Sequence, residues 1–432
     1  MSRPETHTGP GPTGRRRPRA ALLGGAAQAE ILNGDAAAAV RPLSLRDEGR
    51  SRMLRALQEQ GMASRPQLAT MTGLSRATVA ALATDLIASG TVEELGTVDE
   101  AGAPRSGRPA QLLAIHPLAA LAVGVDIGHG HTRVMLCDAR GEPLWDETVP
   151  QDVDHRPEDA LSAAHDMVSS AISATPGGRE RMLGIAIGIA SPVDASQGTM
   201  SSASIMKEWT SLRPAEEFAA RTGLPTRLVN DANAGALAEH LYGAARGWRD
   251  VVYVRLSAGI GAGILAGGRL LSGANGLAGE LGHVQVYPSG HICRCGGRGC
   301  LETVASPVAL AALLSESRHE QLGTTDLFRL LMEGDVGATR AVEDAGEAVG
   351  RCIGTLATLL DPELVVVGGE LSAAGDALFL PMMRAVRHYR LPSRAPELRV
   401  VAGELGDSAA VRGAAGVVLA TLPDALAQSA SG

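Results

Sequence analysis

Lysine is all but missing from this 432-residue chain: Lys207 is the only one, and every other basic side chain is arginine. So one-sided a choice reads as genomic base composition and not as function. An uninterrupted apolar run of the roughly 20 residues that cross a bilayer is missing too. A secretory leader is not legible either. Arg15, Arg16, Arg17 and Arg19 offer a charged start, but Ala20 to Ala29 is short, glycine-broken and weakly apolar. These absences predict a cytoplasmic protein with no membrane partner. Cysteine is scarce: Cys137, Cys293, Cys295, Cys300 and Cys352. An odd count with three crowded together argues against a disulfide framework and for a metal site. What remains is ordinary for a globular protein, 45% hydrophobic and 20% charged, and long enough for two or three domains.

The net charge of −8 is unevenly spread. Residues 1–115 carry 14 Arg against 11 Asp and Glu, whereas the remainder carries 25 basic against 36 acidic residues. An acidic body repels DNA, but a mildly positive head on it is compatible with a DNA-binding head; a solvated basic tail is the plainer reading of the same charges. Residues 1–44, rich in Gly, Pro, Ala and Arg, read as a disordered tail. A helix-rich segment follows from Leu45 to Leu95, then a Gly, Pro and charge-rich loop from Gly96 to Pro109. Beyond Leu121 the pattern becomes short apolar strands alternating with helices: Leu121–Val125, Leu183–Ile189, Val251–Leu256 and Leu364–Val367, each followed by a glycine-containing turn. Such alternation indicates an α/β architecture. The domains expected are a tail over 1–44, a DNA-binding domain over 45–116 and an α/β domain over 117–432.

In the head, Met53, Leu54 and Leu57 place an apolar stripe on a helix over about Arg46 to Gln60. A second helix covers roughly Pro66 to Met71. Gly73 suits the left-handed turn that ends it, and Ser75 suits the N-cap of a third helix. Val79, Leu82 and Leu86 recur at helical spacing and turn inward. Arg76, Ala77, Thr78, Ala80, Ala81 and Thr84 are left outside. This is a helix-turn-helix, whose last helix enters the major groove of double-stranded DNA. Arg76 is the one long donor on the reading face, with Ser75, Thr78 and Thr84 beside it. Val92–Leu95 and Gln111–Ile115 read as a two-stranded wing with Arg105 and Arg108 at its tip, placed for a minor groove or phosphates. A small helical packing module is the bland alternative.

His283 is followed by Cys293, Cys295 and Cys300 in a glycine-rich stretch. One imidazole and three thiolates fill a tetrahedral zinc shell and leave no open position for water, so the site reads as structural zinc. The alternative is a chance cluster of reduced thiols.

The chain resembles the ROK family of repressors, open reading frames and kinases. The resemblance is carried by Asn230-Asp231-Ala232-Asn233, Gly273-Ala274-Asn275-Gly276, Ala278-Gly279-Glu280-Leu281-Gly282-His283, the cysteine knot through Glu302, and Val366-Val367-Gly368-Gly369, in that order. It covers nearly everything from Leu45 onward, and the head looks like that of the family's repressor branch. The resemblance implies an actin-like, hexokinase-like two-lobed domain with sugar bound between the lobes. It implies sugar contacts from Asn230, Asp231, Glu280, His283 and Glu302, and an Asp231 that in the family's kinases is the general base. Carboxylates and an amide suit vicinal hydroxyls chemically. His283 would face zinc with one ring nitrogen and sugar with the other. A homodimer or homotetramer, with paired heads on a palindromic operator, is also implied.

The nucleotide side departs from the family pattern. The first phosphate loop reads Asp126-Ile127-Gly128-His129-Gly130 where kinases carry Asp-x-Gly-Gly-Thr, and the second reads Ser257-Ala258-Gly259-Ile260-Gly261-Ala262-Gly263, with Ala258 for threonine. Two hydroxyl donors to phosphate are lost, and His129 stands where backbone should approach phosphate. Glu370 adds charge after Gly368-Gly369. On the sugar side, Ala190-Ser191-Pro192 stands for the Pro-Gly-Pro of many family kinases. These departures argue against ATP and Mg²⁺ chemistry. The sequence therefore reads first as a sugar-responsive transcription regulator, a repressor of carbohydrate-metabolism genes. A ROK sugar kinase with an added DNA-binding head is the alternative. A DNA-binding protein whose α/β domain only assembles is a third reading, opposed by the intact sugar-side residues. Lys207, if it faced the cleft, would favour an acidic or phosphorylated sugar; a solvated lysine is the plainer expectation.

Overall fold

A computed structural model of the chain describes residues 44–97, 111–194, 197–201, 204–392 and 397–429. The expected tail, Ser44 excepted, and the wing tip with Arg105 and Arg108 lie outside the described residues.

The head opens one residue earlier than its composition suggests. Ser44 is the N-cap of α1 (Leu45–Gln60), its hydroxyl accepting from the Asp47 amide. After β1 (Ala63–Ser64), Ser64 and Gln67 form a capping box on α2 (Arg65–Thr72). Such caps satisfy orphan amides and contribute about 1 kcal/mol each. Gly73 ends α2 in the left-handed region at φ 71°, as expected. Ser75 then caps α3 (Arg76–Ala88) by accepting from the Thr78 amide. The wing strands β2 (Val92–Thr97) and β3 (Gln111–Ile115) pair antiparallel, and β1 adds to the far edge of β3.

Two lobes follow with the same topology. The first contains β4 (Leu121–Ile127), β5 (His131–Asp138), β6 (Pro143–Pro150), α4 (Pro157–Ala174) and β7 (Met182–Ile189). A short hairpin, β8 (Val193–Asp194) and β9 (Thr199–Met200), precedes α5 (Pro214–Thr222), β10 (Thr226–Asn230) and α6 (Asp231–Tyr242). Its sheet runs β10-β7-β4-β5-β6. The second lobe contains β11 (Val251–Leu256), β12 (Ile260–Ala266) and β13 (Arg269–Leu270). It continues with α7 (Pro307–Arg318), α8 (Thr324–Met332), α9 (Val336–Leu360), β14 (Leu364–Gly368), α10 (Asp376–Tyr389) and β15 (Arg399–Ala402). Its sheet, β13-β12-β11-β14-β15, repeats the pattern of three antiparallel strands flanked by two parallel ones. The four strands expected in this domain are present, each extended by no more than two residues.

The chain then returns to the first lobe through α11 (Ala409–Leu419) and α12 (Leu422–Ser429). Gly406–Gln428 passes for a membrane span by length and composition alone, although Asp407, Arg412 and Asp424 interrupt it. Here it is a core element, 67% buried. Its α11 lies so close to β4 and α6 that a Cβ on Gly124 or Gly413 would collide with the carbonyls of Val411 and Ala234. The result is one apolar cluster shared by head and body: Met53, Leu54 and Leu57 of α1 join Ala122, Cys137, Leu237, Val418 and Leu422. Polar contacts reinforce it. Asp424 on α12 pairs with Arg55 at 2.7 Å and accepts from Ser51, and Gln58 donates to the Leu419 carbonyl at 2.8 Å. Arg140, after β5, donates to the Ile115 carbonyl at 2.8 Å and pairs with Glu93 of the wing. The head is therefore packed onto the body as part of a common core.

Candidate ligand cleft and metal centre

The cysteine loop is folded by its own backbone. Cys293 donates to the Gly297 carbonyl and Gly296 to the Cys293 carbonyl, both at 2.9 Å. Gly299, at φ 66°, passes so close to the Tyr287 carbonyl that any Cβ would clash. This brings the ligand atoms of His283, Cys293, Cys295 and Cys300 within 4.8 Å of one another. Cys293 Sγ lies 3.5 Å from His283 Nδ1, and Cys295 Sγ 3.8 Å from Cys300 Sγ. Ligands about 2.3 Å from a tetrahedral ion sit roughly 3.8 Å apart, so the donor set and its spacing fit zinc. Burial lowers the affinity of His283 for a proton, which keeps it neutral as a metal ligand requires. Its other nitrogen, Nε2, lies 3.8 Å from Glu280 Oε2. One ring thus faces the cysteines and the cleft at once.

The residues expected to meet sugar are neighbours: Asp231 and Glu302 both act on Glu280, His283 lies beside it, and Asn230 precedes Asp231. Asn230 and Asp231 sit where β10 runs into α6: Asn230 caps the helix by accepting from the Asn233 amide at 3.0 Å and donates to the Ser191 carbonyl at 3.2 Å. Half of its hydrogen-bonding capacity is therefore structural. Asp231 Oδ1 accepts from the Ala232 amide at 2.7 Å. Burial raises its carboxyl, against the pull of Arg255. Glu280 is raised to about 7 by burial and then by the charges of Asp231 and Glu302. Glu302 is buried and accepts from the Ile260 amide at 3.2 Å. Lys207 is exposed at the start of a short 3-10 helix (Lys207–Trp209), whereas Met206 and Trp209 are buried.

Beside them stand His129 and Asp126, noted in the sequence, and four side chains that sequence reading passed over: Arg255, His131, Asp154 and Arg294. Arg255 reaches from β11 of the second lobe to Asp231 Oδ2 at 2.6 Å and Asp126 Oδ2 at 3.4 Å, both in the first lobe. His131 meets the same Asp126 oxygen at 3.2 Å. Burial would raise the Asp126 carboxyl, but Arg255 and His131 hold it at about 2. His129 pairs with Asp154 at 2.7 Å and its Nε2 lies 3.3 Å from where a Cβ on Gly259 would stand, between the two phosphate loops. Arg294, from within the cysteine loop, approaches His129 at 3.2 Å, Asp154 at 3.4 Å and Glu302 at 3.3 Å. One signal was available for Arg255: it is the single charge in the buried strand Val-Val-Tyr-Val-Arg-Leu. None marked Asp154, which lies in a turn remote in sequence.

On the head, α3 presents the expected face. Val79, Leu82 and Leu86 are buried together with Ala83, while Arg76, Thr78, Ala80, Ala81 and Thr84 are exposed. Arg76 makes no ion pair among the described residues. The Ser75 and Thr78 hydroxyls bond each other at 2.8 Å, and Thr84 bonds back to the Ala80 carbonyl at 3.0 Å. Arg65 is paired with Glu94 of the wing.

The model of the ROK family matches residues 122–421. A putative xylose repressor of Caldicellulosiruptor sp. strain Rt8B.4 is 30% identical over 387 residues, 86% of this chain and 95% of that protein. A glucokinase of Thermotoga maritima is 33% identical over 312 residues, but covers only 68% of this chain and 96% of its own length. A crystal structure of a ROK family transcriptional regulator, described as a homologue of E. coli MLC, superposes with a TM-score of 0.71 at 27% identity, covering 89% of this chain and 98% of that one. The repressor-like relatives thus match far enough to include the head.

Proposed function

The chain belongs to the ROK family, and from that premise we propose that it is a sugar-responsive, DNA-binding transcription regulator of the repressor type. The observation that carries this reading is the shared core: a helix-turn-helix with a free Arg76 is packed through α1 onto the lobe that holds Asn230 and Asp231. The α6 helix runs between them. Its N-terminus bears Asp231, and its Leu237 lies in the same apolar cluster as Leu57 and Ile115 of the head. A ligand that prefers one arrangement of the lobes therefore biases the placement of the head, which is what coupling between the two sites requires.

In this reading the sugar is held by Asn230, Asp231, Glu280, His283 and Glu302. Zinc on His283 Nδ1, Cys293, Cys295 and Cys300 would supply a rigid anchor that fixes the orientation of the His283 ring. Operator DNA is read by Arg76 with Ser75, Thr78 and Thr84, and the wing arginines Arg105 and Arg108 hold phosphates. Assembly as a homodimer or homotetramer would pair two heads on a palindrome, with half-sites one or more helical turns apart. Kinase chemistry is opposed by side chains and not only by missing threonines: His129 fills the space between the phosphate loops, and Arg255 occupies the carboxylate that a base would need free.

The test is a gel shift on DNA upstream of the chain's own gene, at one fixed salt concentration because phosphate contacts make affinity salt-dependent. A panel of sugars and sugar phosphates is titrated in. A specific shift released or strengthened by one sugar is expected. An operator complex indifferent to every sugar, combined with sugar-dependent ADP release that Asp231→Asn abolishes, would replace this reading with the kinase one.

A further inference from the structure

Arg255 stands on the central strand of its sheet, between two glycines. In register it faces Gly261 on β12 and Gly368 on β14, and the room those glycines leave is taken by Ala232 and by the Tyr253 ring. It is 8% exposed, and Asp126 is fully buried. The two carboxylates it joins belong to the opposite lobe. Two buried carboxylates facing a cleft bind a proton or a cation unless something already neutralises them. Oxygen-only donors of this kind favour hard divalent ions.

We propose that Arg255 is a tethered cation: it takes the place between Asp126 and Asp231 that a divalent ion would otherwise occupy, and it fixes Asp231 as a permanently paired acceptor in the cleft. With His131 also on Asp126, the two negative charges meet two basic partners, and the cleft floor has little charge left to recruit a metal. The remaining Asp126 oxygen, Oδ1, is buried without a hydrogen-bond partner. Arg255 and His131 both engage the other oxygen, Oδ2. Arg255 is thus a positioning residue acting through Asp231. Its role stands whether or not the chain regulates transcription, since the operator assay tests the one and cation binding the other.

The experiment titrates Mn²⁺ alone into the full-length, zinc-loaded protein and follows free Mn²⁺ by electron paramagnetic resonance. The wild type is expected to show no Asp126-dependent site. Arg255→Ser is expected to bind one Mn²⁺ at least tenfold more tightly than the wild type, with the gain abolished by adding Asp126→Asn. Arg255→Lys, which restores the charge, is expected to behave as the wild type; a side chain that merely filled space would not be rescued by charge. Should Arg255→Ser fail to fold, Arg255→Gln keeps most of the volume and carries the same expectation. An Asp126-dependent Mn²⁺ site in the wild type overturns the proposal. So does a folded Arg255→Ser or Arg255→Gln protein with no gained site, or a gain equal in Arg255→Lys.

Discussion

The two halves of the cleft are built from the same materials, glycine turns at the ends of buried strands, yet they are furnished in opposite ways. On one side the carboxylates of Asp231, Glu280 and Glu302 crowd one another, and Glu280 is raised to about 7 by burial and by the other two charges. On the other side Arg255, His129, His131 and Arg294 close onto Asp126 and Asp154, and two of them reach across, Arg255 to Asp231 and Arg294 to Glu302. A fold can retain the backbone of a phosphate site after its side chains have filled it, so the glycine pattern by itself is a poor indicator of chemistry.

The contrast is open to experiment, beginning with its metal anchor. Chelation of zinc, or Cys300→Ser, should abolish sugar binding and lower the melting temperature of the body by many degrees, since structural zinc contributes on the order of 10 kcal/mol. Unchanged metal content and melting would remove the anchor from the argument. Next, Glu302→Gln should weaken sugar binding roughly 100-fold, about 3 kcal/mol, as one charged acceptor is lost. His129→Gly on the opposite side should leave sugar affinity within about threefold. Calorimetry on both variants would break the contrast if the two losses were equal. In the head, Arg76→Ala should cost about 1–3 kcal/mol of operator affinity and leave sugar binding unaltered. Equal operator affinity would mean that the reading face lies elsewhere.

A smaller effect concerns how the halves speak to the head. Asp424→Asn weakens the pairing with Arg55 and Ser51, and a partly exposed pair of this kind contributes about 1 kcal/mol or less. Sugar affinity and operator affinity should each persist while the shift of one by the other shrinks. The smallest effect is a pH dependence from His131. Burial lowers its proton affinity, but Asp126 more than compensates, so the folded value lies above the ordinary 6.5. The stabilisation is then full below 6.5 and is lost as pH rises through the folded value. Melting temperatures of the wild type should fall relative to His131→Gln across that window; parallel curves would show that His131 is neutral in the fold.

Much of this was legible in the chain. The spacing of Val79, Leu82 and Leu86, the turn at Gly73 and the cap at Ser75 are short-range features, and they determined the helix Arg76–Ala88 and its buried face. The His283, Cys293, Cys295 and Cys300 pattern determined a zinc-like donor set for the same reason, since three of its four members lie on one tight loop. The order of strands and helices determined an α/β body. Tertiary structure alone decided which charges meet. Arg255 lies 24 residues from Asp231 and 129 from Asp126. Arg294 and His129 are 165 apart, and Asp424 is 369 from Arg55. Pairings over such distances follow from how two sheets and a returning C-terminal helix close on one another. That closure is set by the sum of apolar burial over the whole core, and no local pattern of residues encodes it.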